Sequence, residues 1–141
     1  MDKTFPRTIV GGVSLPRILI GTNWFLGYSH RGQAADRMIG DRFDAPEKFL
    51  PIIKAYLSYG IDAIMGPIST NDMCLRAIRY AEDRLGEKLI LIDTPAMNVD
   101  DSPTARREAE AVVRHSAEIG STFCLIHHTS MEQLVNKNLR T

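Results

Sequence analysis

Glycine sets the rhythm of this chain. Three times a helical run ends at a glycine (Gly60, Gly86 and Gly120), and a short apolar strand follows within a few residues: Ala63-Ile-Met, Leu89-Ile-Leu-Ile and Phe123-Cys-Leu-Ile. A fourth run of the same kind, Arg17-Ile-Leu-Ile, opens the series. Glycine just past a helix supplies the left-handed residue that closes it, and unbroken apolar runs suit strands buried on both faces. Such strands alternating with helices predict an α/β domain on a parallel sheet. In parallel sheets ligands gather beyond the carboxyl ends of the strands. Those ends here read Gly21-Thr-Asn23, Gly66-Pro67, Asp93-Thr-Pro95 and His127-His-Thr129.

The tally is four βα units in 141 residues. Eight such units close a barrel of typically ~250 residues, so this chain holds about half of one. The expected fold is α/β: a single domain, 1–141, forming the amino-terminal half of a TIM-type (β/α)8 barrel. The alternative is a small open doubly wound sheet. Residues 8–15, with Gly11-Gly12 at the turn, predict a hairpin ahead of the first buried strand, and such a plug can cover the bottom of a barrel. A glycine-rich phosphate fingerprint is missing after that strand. Four parallel strands cannot close on themselves, which predicts a homo-oligomer, preferably a dimer.

Helix starts are marked. Asp44-Ala-Pro-Glu47 offers an acidic cap and a first-turn proline, with Phe49, Leu50, Ile53, Tyr56 and Leu57 as the apolar stripe. The next helix starts near Thr70 or Asn71 and turns Met73, Ala77, Ile78 and Ala81 inward. A third starts at Ser102-Pro103 and presents Ala109, Val112, Val113 and Ala117. Ser130-Met-Glu-Gln133 reads as a capping box for a fourth, whose apolar face is Leu134, Val135 and Leu139. Between them, residues 23–43 read as one long irregular loop.

Composition removes several function classes. With 17 basic and 17 acidic residues, the chain lacks the charge of a nucleic-acid binder. No apolar stretch approaches the ~20 residues of a membrane span. The opening Met1-Asp-Lys-Thr-Phe-Pro is too polar for a secretory signal, so a cytoplasmic protein is expected, with Cys74 and Cys124 as reduced core residues.

The candidate chemistry lies at the strand ends. His127 and His128 follow an apolar run, and strand alternation would send their rings in opposite directions, one toward the site. Asp93 closes its strand; buried there, a carboxylate needs a cation, a metal or several donors. Asp93 and one histidine make two thirds of a two-histidine, one-carboxylate set for a divalent metal, the third ligand coming from His30, Asn23 or a missing half of the barrel. A backbone-satisfying aspartate and a hydrogen-bonded histidine are the plainer readings. The loop Asn23-Trp-Phe-Leu-Gly-Tyr-Ser-His30 holds the only tryptophan and suits a lid or binding wall, with Asn23, Trp24 and His30 against substrate. The alternative is a satellite aromatic cluster. Gly66 permits a sharp turn or a close ligand approach. Solvated side chains are the reading for His115, Arg31, Arg37 and Arg42.

Residues Ile9 to Gly27, centred on Val13-Ser-Leu-Pro-Arg-Ile-Leu-Ile-Gly-Thr22, resemble the opening of aldo-keto reductases, a hairpin and then a strand ending in Leu-Gly-Thr-like sequence. Leu125-Ile-His127 resembles that family's fourth strand, which ends in a catalytic histidine. The resemblance implies a (β/α) barrel and a role for His127. It argues against reductase activity, because Met65-Gly-Pro-Ile-Ser-Thr-Asn71 stands where the family's aspartate and tyrosine follow strand two, and Asp93 stands in place of its lysine. The expected function is a barrel-type enzyme acting on a small polar metabolite by acid/base or metal-assisted chemistry, as a lyase, isomerase or hydrolase. Its rivals are a non-catalytic small-molecule or regulatory domain and an inactive fragment.

Overall fold

The computed structural model describes residues 5–137, so Met1 to Thr4 and Leu139 lie outside the described residues. A hairpin, β1 (Arg7–Val10) and β2 (Val13–Pro16), precedes a four-stranded parallel sheet of β3 (Ile20–Gly21), β4 (Ala63–Gly66), β5 (Ile90–Asp93) and β6 (Phe123–Cys124). The helices are α1 (Gln33–Gly40), α2 (Leu50–Leu57), α3 (Asp72–Leu85), α4 (Pro103–Glu118) and α5 (His128–Asn136), with a 3₁₀ turn at Pro46–Phe49 before α2. The sheet order is β3-β4-β5-β6, the order of the sequence, without the reversal that defines a doubly wound sheet. No helix among the described residues is long and apolar enough to cross a membrane.

Register assigns the two faces. Ile20, Ile64 and Leu91 stand side by side and are fully buried with Ile53, Ala77 and Ile78 of α2 and α3. On the other face Gly21, Met65, Ile92 and Phe123 form the neighbouring row. Here the cover is the hairpin: Leu15 packs with Ala63 and Ile92. Arg7 fastens it by two bonds to the Asp62 carboxylate, 3.0 and 3.1 Å, and one to the Gly60 carbonyl. The hairpin stops short of Met65, which stays 37% exposed.

The glycine grammar is present in the backbone. Gly60, Gly86 and Gly120 have φ of 72°, 69° and 78°. Asn71 caps α3 by accepting the Cys74 amide, and Ser102 caps α4 by accepting the Ala105 amide.

Several expectations are corrected. The outer strands are shorter than their apolar runs. Arg17 donates its amide to Pro6 of the hairpin segment, so the sheet begins only at Ile20; Leu125 and Ile126 leave β6 and are half exposed. The segment 23–43 is not all loop, since it contains α1. That helix has no side-chain cap and buries only Ile39. Asp44 does not cap; Ala45 takes that place and Asp44 pairs with Lys48 at 2.5 Å. Along α4 the buried positions are Ala105 and Ser116, while Val113 and Ala117 face outward. α5 begins at His128, not Ser130; Ser130 is buried, and its hydroxyl accepts the Met97 amide at 2.9 Å and donates to the Met97 carbonyl at 3.3 Å. Cys124 is exposed at the sheet edge rather than in the core.

Candidate functional site

All four strands of the sheet run into one cleft. Its larger chamber, about 650 Å³, is lined by Gly21, Thr22, Asn23, Trp24, Phe25, Phe43, Ile52, Tyr56, Met65, Gly66, Pro67, Thr94 and Leu125 to His128. A second chamber of about 440 Å³ is lined by Asn23, Leu26, Tyr28, His30, Asp36, Pro67, Thr70, Thr94, Ala96 and His127 to Thr129. Asn23, Pro67, Thr94, His127 and His128 line both, so they form the junction. The site therefore lies beyond the carboxyl ends of the strands, where parallel sheets place ligands.

The first wall is built on an aromatic anchor. Phe25, Phe43 and Phe49 pack with ring centroids 5.0–5.3 Å apart, and each such pair contributes about 1 kcal/mol beyond its burial. This satellite cluster holds the turn after β3 in place. Trp24 stays outside it, 55% exposed on the rim of the larger chamber. Asn23 reaches back to His30, amide nitrogen to Nε2, at 3.1 Å. His30 has φ of 57°, a left-handed conformation in which a histidine side chain is uncommon. Asp36 of α1 holds the bend: its Oδ1 accepts from the Ser29 amide at 2.7 Å and hydroxyl at 2.6 Å. The Ser29 hydroxyl, then its amide and the nearby His30, keep the Asp36 carboxyl below its ordinary value against the opposing effect of burial.

The opposite wall is the start of α5. His127 and His128 do not point apart, because the strand has already ended at Cys124 and the backbone is turning into the helix. Their rings lie 4.3 Å apart at 39°. His127 is the helix cap. Its Nδ1 is 3.4 Å from the Thr129 amide and 2.8 Å from the Thr129 hydroxyl. A backbone N–H can only donate, so in the neutral ring Nδ1 is the acceptor and Nε2 carries the proton. His127 thus offers the cleft a hydrogen-bond donor. This helical cap was hidden in the sequence because histidine is not among the usual cap residues.

Asp93 departs from its expected place. It stands in the row that faces the helices, fully buried, with Oδ1 accepting the Ser69 amide at 3.0 Å, and it lines neither chamber. Beside it, burial and the Asp93 charge push the Cys74 thiol up to about 12, which makes that cysteine a packing residue. Among the described residues no three histidine, cysteine, aspartate or glutamate side chains gather where they could hold a metal ion.

Gly66 is close to a side chain rather than to the cleft alone. A Cβ there would stand 2.7 Å from Thr22 Cγ2 and 2.8 Å from its Cβ, and nearer still to the hydroxyl. Thr22 and Thr94 stand in the strand-end runs without being singled out there, and Tyr56 reads only as part of an apolar stripe; pairing of β3, β4 and β5 brings the two threonines to the cleft, and α2 supplies Tyr56. His115 is exposed, 3.5 Å from Glu118, and Arg31, Arg37 and Arg42 are exposed away from the cleft.

No protein-family model, curated protein or solved structure matches the chain.

Proposed function

We infer that this chain is an acid/base enzyme unit of the half-barrel type, acting on a small polar metabolite through His127 and His128. The observation that carries this reading is the stacked imidazole pair at the junction of two chambers, opposite Asn23 and His30. Imidazole exchanges protons near neutral pH, and His127 presents a ring N–H where a substrate oxygen would sit. A lyase or isomerase that polarises a carbonyl by such a donor needs no metal. The unreversed strand order and the hairpin plug support the barrel geometry over a doubly wound sheet.

The test is turnover of carbonyl-bearing metabolites followed by proton NMR. His127→Asn keeps a good helix cap while removing the imidazole. It is expected to lower turnover by about 10²–10³-fold, with His128→Asn lowering it less, and both variants should keep the wild-type melting curve. Equal turnover in wild type and His127→Asn would refute the assignment.

The same reading requires closure of the open face. Met65, Leu125 and Ile126 are 37–50% exposed, and β3 and β6 are the sheet's edges. A second copy related by a two-fold axis would bring eight strands together. Sedimentation equilibrium is expected to give a dimer at micromolar concentration; a well-folded monomer there would remove the half-barrel geometry and leave the cleft as that of an open sheet.

A further inference from the structure

One carboxylate sets the charge of the cleft. Asp36 lines the smaller chamber, and no lysine, arginine or second carboxylate lines either chamber. The bonds that hold Asp36 use a single oxygen: Oδ1 accepts twice from Ser29, and no donor among the described residues bonds to Oδ2. Those two bonds keep the carboxyl below its ordinary value against burial, so it is ionised at neutral pH. His30 is the one ionisable neighbour that bears on it.

The hydroxyls of this chamber are acceptors. Thr129 gives its proton to Nδ1 of His127, and Thr70 gives its own to the Pro67 carbonyl, so each has only oxygen lone pairs left to offer. Asn23 donates from its amide nitrogen to Nε2 of His30, and its amide oxygen has no bond among the described residues. The donors in the chamber are ring N–H groups of His30 and His127, which carry no charge when the rings are neutral.

We propose that the cleft binds a small primary arylalkylamine, with its ammonium at Asp36 in the smaller chamber and its ring beside Trp24 in the larger. This rests on the acid/base reading only in taking the same cleft as the site. The sign of the charge selects the head group. An anionic ligand would be brought beside an existing carboxylate with no cation to offset either, and a neutral one would strip water from Asp36 without replacing its charge partner. An ammonium replaces that water with an opposite charge and three N–H donors; those that Oδ2 does not take can go to Thr70, Thr129 or Asn23. The larger chamber supplies the apolar half. Trp24, Phe25, Phe43 and Tyr56 line it, and Trp24, outside the phenylalanine cluster, can cover a flat ring. The size fits: 440 and 650 Å³ each lie within the range of small-molecule pockets, and the shared lining residues let one ligand reach both chambers.

Four probes test the assignment: 3-phenylpropylamine, 3-phenylpropan-1-ol, 3-phenylpropionate and propylamine. They are titrated by calorimetry and by the fluorescence of Trp24 at about pH 8, above the range in which imidazole ordinarily takes up a proton. The expected result is binding of 3-phenylpropylamine at least about tenfold tighter than each of the other three. Asp36→Asn keeps an oxygen for the two Ser29 bonds while removing the charge. It should weaken the amine about tenfold and leave the alcohol unchanged, and Trp24→Ala should weaken the amine about tenfold by calorimetry. Tighter or equal binding of the acid or the alcohol by wild type would overturn the ammonium assignment, whether or not the Asp36 variant folds. So would an Asp36→Asn protein that binds the amine like wild type, or that loses amine and alcohol alike. Propylamine binding as well as 3-phenylpropylamine, or Trp24→Ala binding like wild type, would overturn the placement of the ring. No binding of 3-phenylpropylamine at millimolar concentration would overturn both. Binding is read without turnover, so an inactive protein that binds the amine refutes only the catalytic reading. An active one that ignores the amine refutes only this proposal.

Discussion

Replacing Gly66 with alanine is expected to destabilise the protein by about 3 kcal/mol, the upper end of ordinary overpacking. The new methyl would meet Thr22 at Cγ2 and Cβ, 2.7 and 2.8 Å away, and neither residue has room to retreat. Thr22 is buried and β-branched, so its side chain turns only with strain. Gly66 is held from the other side, its carbonyl accepting the amides of Ile68 and Thr94, each at 2.8 Å. Urea unfolding measures the loss, and the Thr22→Gly, Gly66→Ala pair isolates its cause. Removing the Thr22 side chain should recover most of the stability lost by Gly66→Ala, giving a coupling well above the few tenths of a kcal/mol expected of independent sites. A Gly66→Ala protein within about 0.5 kcal/mol of wild type would show that the strands part easily here. Because Thr22 and Gly66 both line the cleft, the single variant should also bind ligand poorly while the double variant recovers.

Glu82→Ala carries the second large effect, expected at about 2–3 kcal/mol. This carboxylate sits at the far end of α3 with its side chain only 3% exposed. Oε1 accepts the Leu89 amide at 3.0 Å, and Oε2 lies 2.7 Å from Arg79 and 3.2 Å from Lys88. Arg79 in turn donates to the Ile119 carbonyl, so one group joins the end of α3, the start of β5 and the end of α4. Truncation leaves the buried Leu89 amide without its acceptor; Lys88, 84% exposed, matters little. Burial pushes the Glu82 carboxyl up, but the Leu89 amide and the two cations outweigh it and hold it below the ordinary 4.5. A lowered carboxyl stabilises the fold fully above pH 4.5, and that stability fades as pH falls through the folded value. Glu82→Gln should therefore be less stable than wild type at pH 7, with the gap shrinking below pH 4.5. A gap independent of pH would deny the carboxylate its charge-dependent role.

Legibility in the sequence follows the range of the interaction involved. Asn71 and Ser102 were readable as caps because a cap bonds three residues on, and Gly86 because the left-handed turn is a local need. The strand cores Ile64 and Leu91 were readable from their apolar neighbours. Glu82 was not, since its partner Leu89 lies across a turn and its own helix position reads as surface. Asp93 was placed at the right height but could not be assigned a face: a two-residue period gives alternation, and only the pairing with Met65's neighbour Gly66 and with Cys124 fixes which side is which. The histidine pair was found by position while its geometry was misjudged, because the apolar run continued past the residue where the ladder stops.

The strands lie in the sheet in the order in which a ribosome would release them. Each unit emerging from synthesis finds its one required neighbour already made, and no strand has to be inserted between two that are paired. Growth is then by accretion from one edge, with every closure spanning a single helix-bearing segment and none reaching across the chain. Of these four strands β6 is the last to emerge, and its Cys124 and the following Leu125 and Ile126 are exposed. On such a path the vulnerable species is not a misordered sheet but a correctly ordered one still waiting for its edge to be covered.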